Sequence, residues 1–245
     1  MEYTNQLTPR QKFILQHIVE DYINSGIPVG SSTLEKKYEI GVSPATIRNE
    51  MVRLTQKGFL IQPHTSAGRI PTGRALKFYV QNLMKEQTLS VTDEVSVKEK
   101  IWDCRFEADK FLHQVTRVLA EKTGNLAFAQ LTNGGLFHAG YANILDAPEF
   151  FNIDAARALL SAIEKIEQIQ RLLARGVVVG RVSLIFGEDL DIDFLEPIGA
   201  VFTNFKIDDK AAGALGVIGS SRLDYPRIIP IVCYFSDLIN QACQV

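Results

Sequence analysis

Residue types that carry much of protein chemistry are scarce in this sequence. Its 245 residues include three cysteines, one tryptophan and four histidines. The cysteines lie far apart and form no Cys-x-x-Cys pair, which argues against a disulfide framework and against a zinc site. We therefore interpret Cys104, Cys233 and Cys243 as reduced residues that pack among apolar neighbours.

Long apolar runs are lacking as well. None approaches the roughly 20 residues that a membrane-spanning helix requires, and no basic and apolar leader stands at the N-terminus. We expect a cytoplasmic protein without a membrane segment. At 46% hydrophobic residues, the chain can still bury a sizeable core and divide into one to three domains.

Catalytic and metal-binding patterns are also missing. The histidines have no partner at ligand spacing, and no Ser/His/Asp arrangement can be identified, so we predict no enzyme, no cofactor and no metal. The four are His17, His64, His113 and His138. Two roles are considered for His64: it contacts DNA, or it only stabilises its own loop.

Two further segments have a chemical and a plain interpretation. The acidic run lacks the glycine and terminal glutamate of an EF-hand, so a solvated loop is favoured over a calcium site. That run contains Glu188, Asp189, Asp191 and Asp193. The segment Gly219-Ser220-Ser221-Arg222 has N–H groups and a cation for an anion, but a plain turn is favoured.

Charge is unevenly distributed along the chain. The net charge is −2, yet residues 1–74 carry nine Lys and Arg against six Asp and Glu, a net charge of +3. Within residues 45–74 there are five basic residues against Glu50 alone. Such a patch favours contact with phosphates, so the distribution reverses what the net charge suggests about nucleic acid.

The basic region contains a helix with two different sides. Ser43 is placed to cap a helix whose first residue is Pro44. The recurrence of Ile47, Met51 and Leu54 predicts one apolar stripe, and the opposite side is polar. Gly58 ends this helix, and two short strands, residues 59–62 and 69–71, flank a polar loop. A helix followed by such a flap is typical of a winged helix.

Two helices precede it. Thr8-Pro9-Arg10-Gln11 forms a capping box for the first, and Ser32 with Glu35 predicts a second box that opens a short helix to about Tyr38. Gly41-Val42 then turns into the capped helix. This order predicts a helix-turn-helix, which places its second helix in the DNA major groove. The alternative is a small helical domain or a wing that docks on a protein.

The candidate DNA contacts are the small, polar and basic side chains of that helix and its wing. On the helix they are Ser43, Ala45, Thr46, Arg48, Asn49 and Arg53, and on the wing they are His64, Thr65, Ser66 and Arg69.

The rest of the chain predicts an α+β body. Thr72 caps a linker helix, residues 86–96 form a polar joint, and a heptad-spaced stripe begins at Val97. The stripe consists of Val97, Ile101, Cys104, Ala108, Phe111, Val115 and Val118. It suits packing within the chain or a dimer seam, with the former favoured.

Further along, Asn133-Gly134 predicts a hairpin over residues 125–145. A helix from Asn152 or Asp154 to about Ala174 follows, then strands over residues 177–186, 197–207 and 212–218, and a last helix from near Asp224. The prediction is an antiparallel sheet flanked by helices. We divide the chain into a winged helix-turn-helix domain (residues 1–72), a linker helix and joint (73–96) and a body (97–245).

Several motifs resemble the HrcA family of bacterial heat-inducible transcription repressors. They are LTPRQ at 7–11, PVGSSTL at 28–34, VSPATIRNEM at 42–51, QPHTSAGRIPT at 62–72, LIFGEDL at 184–190 and ALGVIGSSRLDYPRIIPIV at 214–232. The resemblance implies that residues 42–51 belong to a recognition helix, that residues 62–72 form the wing and that the body is a GAF-like domain. It departs from the family at the hairpin, where Thr132–Gly135 stand in place of an inserted dimerisation domain.

The resemblance also implies a function. Members repress chaperone operons by binding double-stranded DNA at an inverted-repeat operator called CIRCE, and the chaperonin GroEL helps keep them active. We expect a homodimer on such an operator, because half-site spacing mirrors the two-fold axis of the protein. The alternative is a winged-helix regulator of other genes that responds to a small molecule bound by the body.

Overall fold

The chain divides into two units, each with its own set of contacts. The structure, a computed structural model, describes residues 7–190, 192, 194–206 and 212–242. The division lies after Lys85, so that the N-terminal unit is Met1–Lys85 and the C-terminal unit is Glu86–Val245. This division falls inside the segment predicted as the linker.

The N-terminal unit is a winged helix-turn-helix. Its elements are α1 (Pro9–Ser25), α2 (Ser31–Lys37), α3 (Pro44–Gln56), β1 (Leu60–Ile61), β2 (Ile70–Pro71) and α4 (Gly73–Asn82). The two strands pair antiparallel, with Leu60 opposite Pro71. The core includes Ile14 and Ile18 of α1 and, from the predicted stripe of α3, Ile47 and Leu54, all without exposed surface.

Most helix starts are those that the sequence predicts. The Thr8 hydroxyl accepts from the Gln11 N–H, the Ser43 hydroxyl from the Thr46 N–H, and the Thr72 hydroxyl from the Ala75 N–H. Each bond satisfies an N–H group that has no partner inside its helix.

The capping box predicted at Ser32 and Glu35 is wrong. Helix α2 begins two residues earlier than such a cap implies, at Ser31 after Gly30, and no side chain caps it. Val29 exchanges two backbone hydrogen bonds of 2.9 Å with Arg69, which keeps the chain extended up to Gly30. Ser32 therefore lies inside the helix, where its backbone cannot adopt the extended conformation of a cap.

The same exchange holds the base of the wing. Gly68 lies so close to the preceding turn that a Cβ atom there would be 2.4 Å from the carbonyl carbon and oxygen of Val29. Only a residue without a side chain permits this approach of two backbone segments. The wing is thus tied to the loop between α1 and α2.

In its described residues, the C-terminal unit contains one sheet with helices on both faces. Its helices are α5 (Val91–Ile101), α6 (Ala108–Thr123), α7 (Ile153–Ile163), α8 (Ile166–Leu173) and α9 (Tyr225–Ala242). Its strands are β3 (Leu126–Leu131), β4 (Leu136–Ala139), β5 (Val177–Val179), β6 (Val182–Phe186), β7 (Ile198–Lys206) and β8 (Ala212–Ser220).

The sheet is antiparallel throughout, in the order β4-β3-β8-β7-β6-β5. Helices α7 and α8 share a buried core with one face, which includes Phe128, Phe202 and Ile218. Helices α6 and α9 contact the strands as well, and the alternate residues Ala129, Val201 and Val217 are buried on the opposite face. This is the α+β architecture with an antiparallel sheet that the sequence predicts.

The predicted hairpin is confirmed, and its second strand is shorter than expected. Gly134 has φ +104°, and the Leu131 N–H donates to the Gly135 carbonyl over 2.7 Å. Strand β4 ends at Ala139, and residues 141–146 form a 3-10 turn.

Three other boundaries differ from prediction. The strand predicted over residues 177–186 is the hairpin β5–β6, because Gly180 adopts φ +59° and reverses the chain. The single helix predicted to about Ala174 is two helices, α7 and α8, since Lys165 has an extended backbone. Strand β8 continues to Ser220, so Gly219 and Ser220 belong to the sheet and are not part of a turn.

The heptad stripe packs within the chain. It is not one helix, because residues 102–107 separate α5 from α6 and Glu107 is extended. Val97, Ile101, Phe111, Val115 and Val118 are buried, whereas Cys104 is half-buried and Ala108 is exposed. The alternative, in which this stripe is a continuous seam between two subunits, is therefore wrong.

The cysteines and the acidic segment are partly described. Cys104 and Cys233 are free and half-buried, and burial raises the pKa of the Cys233 thiol. Cys243 lies outside the described residues, as do Asp191 and Asp193. Glu188 and Asp189 lie on an exposed 3-10 turn.

Arg222 pairs with a carboxylate of its own chain. Its Nε and Nη2 atoms donate to the two carboxylate oxygens of Glu149, and the side chains are 13% and 21% exposed. Burial alone would raise the pKa of Glu149, but the hydrogen bonds and charge of Arg222 hold that pKa below its usual value. The anion-binding interpretation of residues 219–222 is thereby weakened, because this guanidinium already has a partner.

Glu149→Gln is predicted to destabilise the C-terminal unit by about 1–3 kcal/mol at neutral pH, because the buried guanidinium loses its charged partner. The pKa of Glu149 is lowered on folding, so its contribution is complete above the unfolded pKa and is lost as the pH falls through the folded one. Urea unfolding followed by fluorescence of Trp102, which lies in this unit, should show wild type and variant converging in acid. A difference that does not change with pH would contradict the assignment.

Gly68→Ala is predicted to loosen the wing at a cost of about 1–3 kcal/mol, because the new methyl group must displace the Val29 backbone. Hydrogen exchange at the Val29 and Arg69 amides should become faster. Ser66→Ala, on the exposed tip of the same loop, is the matched control and should leave both amides protected. Equal protection in both variants would show that the close approach does not hold the wing.

Candidate nucleic-acid interface

The outward side of α3 is exposed and mostly polar. The stripe of Ile47, Met51 and Leu54 is buried and turns the other side of the helix to solvent. The exposed residues are Ala45, Arg48, Asn49, Val52, Arg53 and Gln56. We call these six residues the exposed face of α3.

The start of α3 is held by its own side chains. The Ser43 hydroxyl lies 3.1 Å from the Thr46 hydroxyl in addition to capping the helix. Ser43 is exposed and Thr46 is half-buried. Both predicted contact residues therefore lie at the positive end of the helix dipole, where phosphate groups are favoured.

Arg53 has a fixed position on the exposed face. Its side chain is 62% exposed, and its Nη1 atom donates to Glu50 Oε1 over 2.8 Å. Glu50 Oε2 accepts in turn from Gln11 Nε2 of α1 over 2.9 Å. The guanidinium is thus anchored at one nitrogen while most of the side chain faces solvent.

The tip of the wing is closed by hydrogen bonds to its own backbone carbonyl groups. Gln62 Nε2 donates to the carbonyls of Thr65 and Ala67 over 2.9 and 3.0 Å. The Ala67 N–H donates to the His64 carbonyl over 2.8 Å. These bonds occupy the carbonyl groups inside the loop and leave the side chains of His64, Thr65 and Ser66 exposed.

Arg69 joins the wing to α3. It is half-buried, its Nε donates to the Thr55 hydroxyl over 3.2 Å, and its Nη1 donates to the Gly68 carbonyl over 3.4 Å. The Thr55 hydroxyl donates to the Met51 carbonyl. The structure therefore brings one predicted wing residue into direct contact with the helix, and gives Arg69 a bracing role besides its charge.

Not all of the basic residues in this region belong to the exposed face. Lys57 Nζ donates to Gln11 Oε1 over 3.0 Å, and Arg74 Nη1 donates to the Lys57 carbonyl over 2.9 Å. The Arg74 guanidinium also lies over the Phe59 ring, 4.6 Å from its centre. Lys57 and Arg74 support the fold, whereas Arg48 and Arg53 are exposed cations of α3.

Sequence reasoning missed the residues that support the interface. Glu50 could have been noticed, because it falls among the apolar residues of α3 and precedes Arg53 by three positions, a spacing at which helical side chains meet. Gln62 and Thr55 gave no comparable signal, since their partners depend on how the wing folds back.

Metal and membrane features can be stated for the described residues only. In that part of the chain, no group of three or more His, Cys, Asp or Glu is placed to hold a metal ion. His17 stacks on Tyr38, His113 meets the edge of Phe137, and His138 contacts Tyr141. None of the described helices is long and apolar enough to cross a membrane.

Comparisons with known proteins place these features in context. The chain is 29% identical to the heat-inducible transcription repressor HrcA of Syntrophobacter fumaroxidans, covering 97% of each chain, and 26% identical to that of Clostridioides difficile, covering 96% and 99%. A crystal structure of a hypothetical protein at 2.2 Å resolution has the same fold, with a TM-score of 0.74, 18% identity and 97% of each chain covered.

The relatives contain residues that this chain lacks. The first of these alignments spans 339 positions and the chain has 245 residues, so at least 94 aligned positions have no residue of this chain. Since 97% of each chain is covered, those positions lie inside the matched region.

The family itself follows from the C-terminal part of the chain. The family model described as HrcA protein C-terminal domain matches residues 74–229, which is more than half of the sequence. Together with relatives that match the chain over nearly its whole length, this result shows that the chain belongs to the HrcA family.

Proposed function

We propose that the chain is a sequence-specific transcription repressor of heat-shock operons that binds double-stranded DNA through α3 and the wing. The observation that carries this proposal is the exposed face of α3, which offers side-chain donors on the second helix of a helix-turn-helix, the helix that such motifs insert into a major groove. The names of the relatives, heat-inducible transcription repressors, support the same function.

The contacts divide into two kinds. Arg48, Asn49 and Arg53 project from the middle of α3 and are assigned to base edges. Ser43, Ala45 and Thr46 at the start of the helix, with His64, Thr65, Ser66 and Arg69 on the wing, are assigned to the sugar-phosphate backbone or groove walls.

An inverted-repeat operator completes the proposal. Two copies of the chain related by a two-fold axis would present two α3 helices to the two half-sites of a CIRCE-like sequence. Analytical ultracentrifugation at operator-binding concentrations tests this arrangement, and one monomer bound per full operator would contradict it. The family resemblance extends the proposal to GroEL, which should raise the fraction of chain that is competent to bind DNA.

The second candidate function is a regulator that responds to a small molecule. A groove of about 1150 Å³ on the C-terminal unit favours it, with hydrogen-bonding side chains beside an aromatic ring. Its lining includes Gln130, Ser183, Phe202, Asn204 and Asn240. A thermal-shift screen of metabolites, followed by DNA titration with each ligand found, separates the two candidates. A ligand that binds without changing DNA affinity would count against a regulatory role.

Asn49→Ala and Arg53→Ala are each predicted to lose sequence discrimination, because a good base contact is worth roughly 1–3 kcal/mol. Affinity is measured for a duplex selected from a random library by the wild-type chain and for a scrambled duplex. The ratio of the two affinities should fall, with scrambled-duplex affinity changed much less. Gln81→Ala, exposed on α4, is the control and should keep the ratio.

An unchanged ratio in both variants would remove α3 from the DNA groove. Failure of the wild-type chain to bind any duplex even at low salt would instead favour a protein-docking function for the whole N-terminal unit.

Arg69→Ala is predicted to weaken binding to selected and scrambled duplexes about equally, because one phosphate contact is lost. The salt slope, which is the slope of log affinity against log salt concentration, should fall by about one ion. Thr55→Val is the matched variant, since it removes the partner of Arg69 Nε and keeps the cation. If Arg69 only braces the wing, both variants should lose affinity and neither should change the salt slope. The salt dependence of binding therefore distinguishes a phosphate contact from a brace.

A further inference from the structure

Glu50 is a buried carboxylate on a helix that otherwise buries apolar residues. It is 6% exposed and lies between Ile47 and Leu54 on the packed side of α3. Burial of a charge is costly unless the charge is paired and hydrogen-bonded. Both carboxylate oxygens meet that condition, one with Arg53 and the other with Gln11.

The partner on the inner side is itself fixed. Gln11 is 3% exposed, and its Oε1 accepts from the Thr8 N–H over 3.2 Å and from Lys57 Nζ over 3.0 Å. The capping box of α1 therefore orients Gln11, and Gln11 orients Glu50. Glu50 has little freedom to follow Arg53 if that side chain moves.

The outer side of the pair is exposed. Arg53 gives Nη1 to Glu50 and has five N–H groups in a planar fork, so further donors remain for another acceptor. Two N–H groups held in one plane match the O6 and N7 acceptors of guanine in the major groove. An anchored guanidinium loses less side-chain freedom on binding than a mobile one.

Pairing also changes what Arg53 prefers to bind. A guanidinium next to a carboxylate is close to neutral as a pair, so its attraction to the phosphate backbone is reduced. Its fork geometry is kept, and the fork still matches the two acceptors of a guanine edge. The carboxylate thus disfavours the sequence-independent contact and leaves the sequence-dependent one.

We propose that Glu50 is a positioning residue that holds Arg53 for bidentate contact with a guanine in each operator half-site. The inference rests on the proposed function, and it names the base chemistry that this part of α3 recognises. Glu50 does not contact DNA in this assignment and acts only through Arg53.

Glu50→Gln is the direct test, because it keeps the size and one side-chain oxygen acceptor but removes the charge. The affinity ratio of selected to scrambled duplex should fall about tenfold. The salt slope on scrambled duplex should become steeper by about one ion, since Arg53 is released to a phosphate. In an Arg53→Ala background the same change should have no further effect on the ratio. If Glu50→Gln lowered the affinity ratio about tenfold in that background as well, the proposal would be overturned.

The guanine contact is tested on the DNA. Replacing each guanine of the selected duplex by 7-deazaguanine removes its N7 acceptor. One position per half-site should weaken wild-type binding severalfold and leave Arg53→Ala unaffected. If no position depends on Arg53, the assignment of guanine is wrong.

Arg53→Lys keeps the cation and removes the planar fork. The affinity ratio of selected to scrambled duplex should fall, while the salt slope stays within about half an ion of wild type. If Glu50→Gln fails to fold, this variant tests whether the planar fork of Arg53 is needed. Retained discrimination would overturn the proposal. Should Asn49→Ala lower the affinity ratio while Glu50 and Arg53 variants leave it unchanged, the proposed function would stand and this inference would fall.

Discussion

Burial of one side of α3 is the constraint on which the N-terminal unit depends. Ile47, Met51 and Leu54 pack inward, and the helical period then turns the exposed face of α3 to solvent. Neither Asn49 nor Arg48 can be withdrawn from solvent without breaking that packing. The stability of this unit and the exposure of the proposed DNA contacts therefore rest on the same apolar stripe.

The wing depends on backbone contacts that are distant in sequence. Val29 and Arg69 exchange hydrogen bonds, and the absence of a side chain at Gly68 lets the two segments meet. Arg69 then reaches Thr55 on α3. The loop between α1 and α2, the wing and α3 are thereby joined by one connected set of contacts.

Local signals predicted much of the fold, and distant pairings were missed. Ser43, Thr72 and Asn133-Gly134 act within a few residues, and their caps and turn were predicted correctly. Glu50 meets Gln11 from 39 positions away, and Arg222 meets Glu149 from 73. No periodic pattern encodes such pairs. The break between α7 and α8 was missed because the apolar spacing continues across it.

The C-terminal unit limits how two copies of this chain could pair. Its hairpin is closed by the short turn at Asn133-Gly134, and the chain lacks at least 94 positions of an aligned HrcA relative. The α5–α6 stripe is already used, since Val97, Phe111 and Val115 are buried by the chain's own residues. Side chains that are buried in the core cannot also form a seam between subunits unless the unit unfolds. A two-fold repressor built from this chain must therefore pair through residues that its own core leaves exposed.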